Sequence, residues 1–458
     1  MLVPKLERLA GIEVYATQCL GIGGVIRQFV EDFVVEEVLV DGSKAEINQS
    51  AKRQVLGSSP VKNRYLLCVL VKRNWDMFQA LRLIAEQLGI NARGIQIAGI
   101  KDAKAVTAQH ITVEGITAEQ IQKIQVKDIK IRPIGYFRSK LSSYFLFGNN
   151  FNITIRAISN PKSTIEKRIT KAIQELELIG GVPNFFGHQR FGTTRPITHL
   201  VGKAIVKGNF RKAAMLFLAK PSLHEHPESR QAREQLYDTQ DFNQALKNFP
   251  KQLRYERLML RYLVKNPDDH VGAFRRLPLK LRELFPQAYQ SYLFNKFLSR
   301  RIARGLLLNR AEIGEYVVNV ECSGLPMLSM FKIVSAEALT EINKKIETGK
   351  MRLAIPLFGF KQHASLGVQG EIEKQILEEE GINQQNFKIP AMPEITARGE
   401  LRTALTPLNN FSLNEIQKDS ANPSKHKTKV SFTLYRGSYA TILLRELMKP
   451  RNPIKAGF

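Results

Sequence analysis

The residues best suited to chemistry form a short stretch in which an aspartate lies close to glycine and lysine. Residues 98–110 read AGIKDAKAVTAQH, in which Gly99 allows a tight backbone path and Lys101 and Asp102 place opposite charges side by side. Gln109 adds an uncharged hydrogen-bonding group just before a segment that predicts a strand. The pattern suits a carboxylate presented from a loop. A solvated turn is the alternative, because lysine and aspartate are often neighbours on surfaces.

A second stretch combines aromatic, glycine and basic residues. Residues 184–192 read NFFGHQRFG. Such a loop can stack bases, bring its backbone close to phosphates and clamp them with the guanidinium of Arg190. Alternatively, the aromatic side chains pack in the hydrophobic core and the glycines form turns. His188 is interpreted as an ordinary loop histidine rather than a catalyst.

The overall charge favours a polyanionic partner. The 458 residues include 68 Lys and Arg against 42 Asp and Glu, which gives a formal net charge of +26. A folded surface that gathers these basic side chains would attract nucleic acid and release counterions from its phosphates. A generally basic solvated surface is the alternative until some chemistry is found.

The sequence disfavours several other classes of protein. It contains no run of about 18 apolar residues, so no membrane span is expected. Its first residues lack the order of a secretion signal, which favours a cytoplasmic location. Cys19, Cys68 and Cys322 are odd in number and widely separated, so the sequence predicts neither a disulfide framework nor a structural zinc site. No metal site is expected elsewhere.

Apolar periodicity predicts the elements that must position these stretches. Strands are expected at residues 33–40, 65–71, 111–113 and 151–158, and helices at 77–88 and 165–179. One buried face of the first helix should carry Met77, Phe78, Leu81, Ile84, Ala85 and Leu88. From about residue 200 the pattern becomes helical, with a long helix around 289–304, which indicates a second domain or an insertion. Residues 406–429 should form an exposed loop, followed by a strand, a glycine turn and a helix that could complete a sheet begun near the N-terminus.

Six stretches occur in the order that is typical of one enzyme family. They are EDFVVEE (31–37), GIKDAKAVTAQH (99–110), FGNNFNITIR (147–156), NFFGHQRFG (184–192), AYQSYLFN (288–295) and RGSYATILLREL (436–447). Together they resemble the motifs of the TruD family of tRNA pseudouridine synthases over nearly the whole chain. The resemblance implies an α+β (mixed α/β) fold, with a catalytic domain around a central mixed or antiparallel sheet and a family-specific insertion domain. The expected catalytic domain covers residues 1–180 and 391–458, and the insertion covers 181–390.

The resemblance also implies roles for single residues. The aspartate of the GxKD pattern falls on Asp102, which is therefore the expected catalytic carboxylate. The residues expected around the target uridine are Phe33, Asn149 and Tyr439, with Phe151, Arg27, Lys101 and Gln109 as their neighbours. Arg27 or Lys101 should supply the cation that supports the ionised carboxylate.

The resemblance further implies the substrate. It is usually the uridine at tRNA position 13, while some relatives accept other tRNA positions or other RNAs. No cofactor is expected, because the isomerisation of uridine to pseudouridine adds no atom from outside. The protein is expected to act as a monomer.

Two other functions remain open at this point. A non-catalytic RNA-binding or folding-assistance protein would carry the same charge, and loss of catalysis in Asp102→Asn with tRNA binding retained would separate the two. A metal-dependent nuclease would need clustered carboxylates, which the sequence around Asp102 does not provide. Activity undiminished by a chelator would discard the nuclease.

Overall fold

Strands predominate in the first and last parts of the described chain, and helices predominate in the middle. The computed structural model describes residues 2–48 and 55–458. The strands are β1 (Phe33–Leu39), β2 (Tyr65–Arg73), β3 (Ile95–Ile97), β4 (Val106–Glu114), β5 (Ile129–Phe137), β6 (Leu146–Ile158), β7 (Val182–Pro183), β8 (Tyr316–Val320), β9 (Pro326–Ile333), β10 (Met351–Leu357), β11 (Glu400–Thr403), β12 (Leu405–Thr406), β13 (Asn409–Leu413), β14 (Gln417–Lys418) and β15 (His426–Tyr435). The helices are α1 (Lys5–Leu9), α2 (Met77–Leu88), α3 (Ala118–Gln122), α4 (Lys162–Leu178), α5 (Thr198–Val206), α6 (Phe210–Ala219), α7 (Pro227–Thr239), α8 (Phe242–Asn248), α9 (Arg254–Leu263), α10 (His270–Arg275), α11 (Leu279–Ala303), α12 (Leu339–Glu347), α13 (Gly367–Glu380) and α14 (Ala440–Met448). The α+β class expected from the sequence is confirmed.

A nine-stranded sheet forms the centre of the fold. Its strand order is β13-β15-β6-β1-β4-β2-β5, with β14 beside β15 and β3 beside β4. Strands β1 and β4 run parallel, and the other pairs in this sheet are antiparallel. Because β15 pairs with β6, the C-terminal segment completes a sheet begun near the N-terminus, as the sequence pattern suggested.

Apolar side chains fix the helices on this sheet. Ile155 of β6 belongs to one buried cluster with Ile169 of α4 and Leu443 of α14. A second cluster joins Ile111 of β4 to Ile84 of α2. Each contact removes apolar surface from water, which is the main source of stabilisation for such layers.

Two expectations about local structure are wrong. Phe78 is 61% exposed, because the buried residues of α2 centre on Leu81 and Ile84 and leave Phe78 at the edge of that arc. Residues 406–429 do not form one loop, since they contain β13, β14 and the start of β15. Of these, β13 and β14 lie at the edge of the central sheet, where polar side chains are common.

The chain leaves the central region after α4 and returns to it at β13. The expected helical region is confirmed by helices α5 to α11, although α11 begins ten residues earlier than predicted. A four-stranded sheet, ordered β11-β10-β8-β9, follows these helices and was not predicted. Strands β7 and β12 pair with each other, so the outgoing and returning segments lie side by side. This geometry favours an inserted unit, and the boundaries at 180 and 390 stay predictions.

Within residues 2–48 and 55–458, no helix has both the length and the apolar character needed to cross a membrane.

Candidate active site around Asp102

Asp102 lies in the loop between β3 and β4, and its carboxylate is held at one oxygen. Arg27 Nη2 and Gln189 Nε2 each lie 3.3 Å from Asp102 Oδ1. Oδ2 makes no hydrogen bond to any described residue, and the side chain remains 31% exposed. The carboxylate is therefore oriented by two donors while its second oxygen stays open.

Arg27 reaches this site through an unusual backbone conformation. Its φ is +57°, a region that few residues other than glycine adopt, so the surrounding contacts must hold it there. Nη1 donates to the carbonyl of Gly457 at 2.9 Å, and the guanidinium carbon lies 3.8 Å from the ring centre of Phe33. Burial lowers the pKa of Arg27, and the nearby Asp102 opposes this shift. Arg27 is thus the cation that contacts the candidate catalytic carboxylate.

Lys101 is directed away from its neighbour Asp102. Its ammonium lies 2.8 Å from Glu37 Oε1, and both side chains are almost fully buried. Glu37 Oε2 accepts a hydrogen bond from the backbone N–H of His110 at 2.9 Å and lies 3.3 Å from the Nδ1 atom of that residue. Burial alone would raise the pKa of Glu37, but Lys101 and His110 together lower it. This buried network anchors the loop beneath Asp102.

A second lysine holds the main chain of the same loop. Lys72 Nζ donates to the backbone carbonyls of Asp102 at 2.6 Å and Trp75 at 2.9 Å. Burial lowers the pKa of Lys72 to about 8, and Asp102 opposes the shift. From the sequence Lys72 was one of many basic residues expected to enrich the surface, yet it is fully buried.

A cavity of about 300 Å³ opens in front of Asp102. Seven of the predicted site residues line it: Arg27, Phe33, Lys101, Asp102, Asn149, Phe151 and Tyr439. Phe33 and Phe151 are only 1% and 5% exposed and form the deep wall. Tyr439 is the more accessible aromatic side chain at this cavity, and it immediately precedes α14.

The other two predicted residues lie outside this cavity. Gln109 is fully buried and donates from Nε2 to the carbonyl of Gly99 at 3.2 Å, which supports the Asp102 loop from behind. Arg190 donates from Nε to Ser291 Oγ at 3.0 Å and lines an adjoining cavity.

Sequence reasoning missed Gln189 as a contact of Asp102. The only signal was its place beside Arg190 in the NFFGHQRFG stretch, where residues 188–190 form a short 3-10 helix.

Among the described residues, no group of three or more His, Cys, Asp or Glu side chains is placed to hold a metal ion.

The fold and this site define a class of protein that has been solved before. The chain superimposes with a TM-score of 0.84 on the crystal structure of a tRNA pseudouridine synthase D (TruD) from Methanosarcina mazei. The sequences are 39% identical, and the match covers 99% of this chain and 100% of the other. The class is therefore that of the pseudouridine synthases.

Sequence comparisons identify the particular family. The family model for tRNA pseudouridine synthase D (TruD) matches residues 9–447. A relative named as a tRNA pseudouridine synthase D from Methanosarcina mazei is 40% identical over 455 residues, which cover 99% of this chain and 100% of the relative. One from Methanosarcina acetivorans is 40% identical over 449 residues, which cover 98% of each chain. The chain belongs to the tRNA pseudouridine synthase D (TruD) family and is an isomerase that converts uridine to pseudouridine.

Proposed function

We propose that this enzyme isomerises the uridine at position 13 of tRNA, with Asp102 as the catalytic carboxylate and without a cofactor. The observation that carries the proposal is how the two carboxylate oxygens of Asp102 are bonded and surrounded. Oδ1 is held by Arg27 and Gln189, Oδ2 makes no hydrogen bond to any described residue, and Asp102 lines a cavity of about 300 Å³. A fixed nucleophile or base beside an open space is what positioning of a reacting sugar requires.

The chemistry needs no external atom. The bond between N1 of uracil and C1′ of the ribose breaks, the base rotates, and a new bond joins C5 to C1′. The proton lost from C5 is balanced by the proton gained at N1. The carboxylate can either attack C1′ and later leave, or remove the 2′ proton to give a glycal and later return it. Both routes use a free carboxylate oxygen, such as Oδ2 of Asp102.

The detached uracil must be retained while it rotates. Tyr439 offers an accessible aromatic ring beside the cavity, and stacking on such a ring can offset the cost of unstacking a base from RNA. Phe33 was expected to flank the uracil on the other side. Since the guanidinium of Arg27 covers its ring, we propose that Phe33 acts mainly by supporting Arg27.

Substitution of the carboxylate tests the proposal. Unmodified tRNA is incubated with wild type or Asp102→Asn, without added cofactor and with a chelator in a parallel sample, and pseudouridine is mapped by chemical labelling. We expect wild type to modify uridine 13 in both samples and Asp102→Asn to bind the tRNA without modifying it. Asp238→Asn, at an exposed position of α7, is the matched control and should behave as wild type. Turnover by Asp102→Asn at the wild-type rate would refute the role of Asp102, and modification of another uridine would refute the position.

The two routes can be separated with labelled substrate. If the 2′ proton is removed, tRNA carrying deuterium at the 2′ carbon of the target uridine should react several-fold more slowly in a single turnover. Equal rates would favour attack at C1′.

A further inference from the structure

A second cavity adjoins the one at Asp102. Its volume is about 500 Å³, within the range of cavities that hold small ligands, and it lies against α11, β11 and the segment that precedes β11. Gly437 and Tyr439 line both cavities, so Tyr439 stands between them. An RNA chain whose target base enters the first cavity would therefore pass by the second.

Two arginines at this wall are oriented without a carboxylate partner. Within the described part of the chain, the hydrogen bonds of Arg402 go to the carbonyl and side-chain oxygens of Asn184 and to the carbonyl of Gly437, at 2.6–2.9 Å. Those of Arg190 go to Ser291 Oγ at 3.0 Å and Gln287 Oε1 at 3.5 Å. All of these acceptors are neutral, and Nη1 of each arginine donates to none of the described residues.

The ring of Phe186 supports both guanidinium groups. The guanidinium carbons of Arg402 and Arg190 lie 4.0 Å and 5.6 Å from its centre. Contact with the ring and the neutral hydrogen bonds restrict both side chains before any ligand arrives, which reduces the entropy lost on binding. Burial lowers the pKa of Arg402 to about 10, and it still carries its charge at neutral pH.

Carboxylates at the same cavity limit what it can accept. Glu283, Glu394 and Glu400 also line it, and Glu394 is already paired with Arg282. Burial raises the pKa of Glu400, while Arg402 and Arg190 oppose the shift. The carboxylates of Glu283 and Glu400 would repel a second phosphate, but they could accept hydrogen bonds from the N–H groups of a base. The lining therefore suits one nucleotide with one phosphate.

We propose that this second cavity binds the RNA nucleotide next to the target uridine, with its phosphodiester held by Arg190 and Arg402. The inference rests on the proposed function, because it takes the Asp102 cavity as the place of the target base. Guanidinium groups bind phosphate through paired, charge-assisted hydrogen bonds, and the free Nη1 atoms supply donors for them.

A cycle of protein and substrate changes tests the contact. Dissociation constants are measured in the Asp102→Asn background with tRNA in which a neutral methylphosphonate replaces the phosphate on the 5′ or the 3′ side of uridine 13. One of the two replacements should weaken binding about tenfold or more, as expected for loss of a hydrogen bond to a charged group. With Arg190→Gln added, native tRNA should bind several-fold more weakly, and the same methylphosphonate should then have a clearly smaller effect, because only Arg402 still contacts the phosphate.

Two further variants separate this contact from general loss of charge or fold. Arg254→Gln, on the exposed start of α9, removes one charge elsewhere and should keep the full methylphosphonate effect. Arg190→Lys retains the charge and should restore part of the affinity, and thermal melting checks that each variant is folded. The proposal is overturned if neither methylphosphonate weakens binding, or if its effect is unchanged in Arg190→Gln. Since binding is measured without turnover, failure of Asp102 as the catalyst would show separately, in the modification assay.

Discussion

The buried pair of Lys101 and Glu37 gives a quantitative test of how the active-site loop is held. The side chains are 3% and 0% exposed, and the ammonium lies 2.8 Å from the carboxylate. At an effective dielectric constant of 20, the attraction at this distance is about 6 kcal/mol, much of which offsets the cost of removing both charges from water. Removing Lys101 leaves the buried Glu37 carboxylate with only its contacts to His110, and removing the Glu37 charge leaves the buried ammonium of Lys101 without its partner. We therefore expect Lys101→Met to lower the free energy of unfolding by about 3–5 kcal/mol.

Urea unfolding of four proteins measures this effect. Wild type, Lys101→Met, Glu37→Gln and the double variant form a cycle in which each single change breaks the same pair. The double variant should be more stable than the sum of the single effects predicts, by about 2–3 kcal/mol, because it leaves neither charge alone. Single losses below about 1 kcal/mol, or additive losses in the double variant, would refute the view that this pair anchors the loop.

The stability of the same proteins should also depend on pH. The fold lowers the pKa of Glu37 below its ordinary value of 4.5, so its ionised form stabilises the folded state. This stabilisation is complete above the pKa of the unfolded chain and is lost as the pH falls through the lower pKa of the folded chain. Between about pH 5 and pH 3, wild type should therefore lose more stability than Glu37→Gln. Parallel curves for the two proteins would contradict the assigned direction of the shift.

Three further substitutions extend these tests. Gln189→Ala should lower kcat about tenfold, because it removes one donor from Asp102, and should leave the melting temperature unchanged, because the side chain is exposed. An unchanged kcat would argue against orientation of Asp102 by Gln189. Lys72→Met should lower kcat and should lower the free energy of unfolding by about 2–4 kcal/mol, because two backbone carbonyls lose their charged donor. Wild-type values in kinetics and in urea unfolding would exclude this role. Gly148→Ala should destabilise the pairing of β6 with β15 by about 1–3 kcal/mol, because a Cβ there would lie 2.1 Å from the carbonyl oxygen of Leu434; wild-type stability in urea would show that the strands can separate without cost.

Much of the fold could be predicted because its elements carry local patterns. Alternating and continuous apolar runs predicted strands β1, β2, β4 and β6. The helix predicted at 77–88 coincides with α2, which ends just before Gly89, where φ is +65°. The sheet of β8 to β11 was missed, because its strands follow a long helical region and are interrupted by α12 and α13. Phe78 was misplaced because the periodicity gives the direction of a helical face but not the width of the surface that another element covers.

For the site, the sequence by itself determined the family, the candidate carboxylate and the stretches that meet around it. Only the tertiary structure decided which groups contact that carboxylate. Lys101 is adjacent to Asp102 in the chain, yet its side chain is buried against Glu37, while Arg27 and Gln189 approach from 75 and 87 residues away. Neighbouring side chains on an extended or looped backbone can point in opposite directions, and strand pairing brings distant segments together. The partners of a charged group are therefore set by packing across the whole fold, which no local pattern encodes.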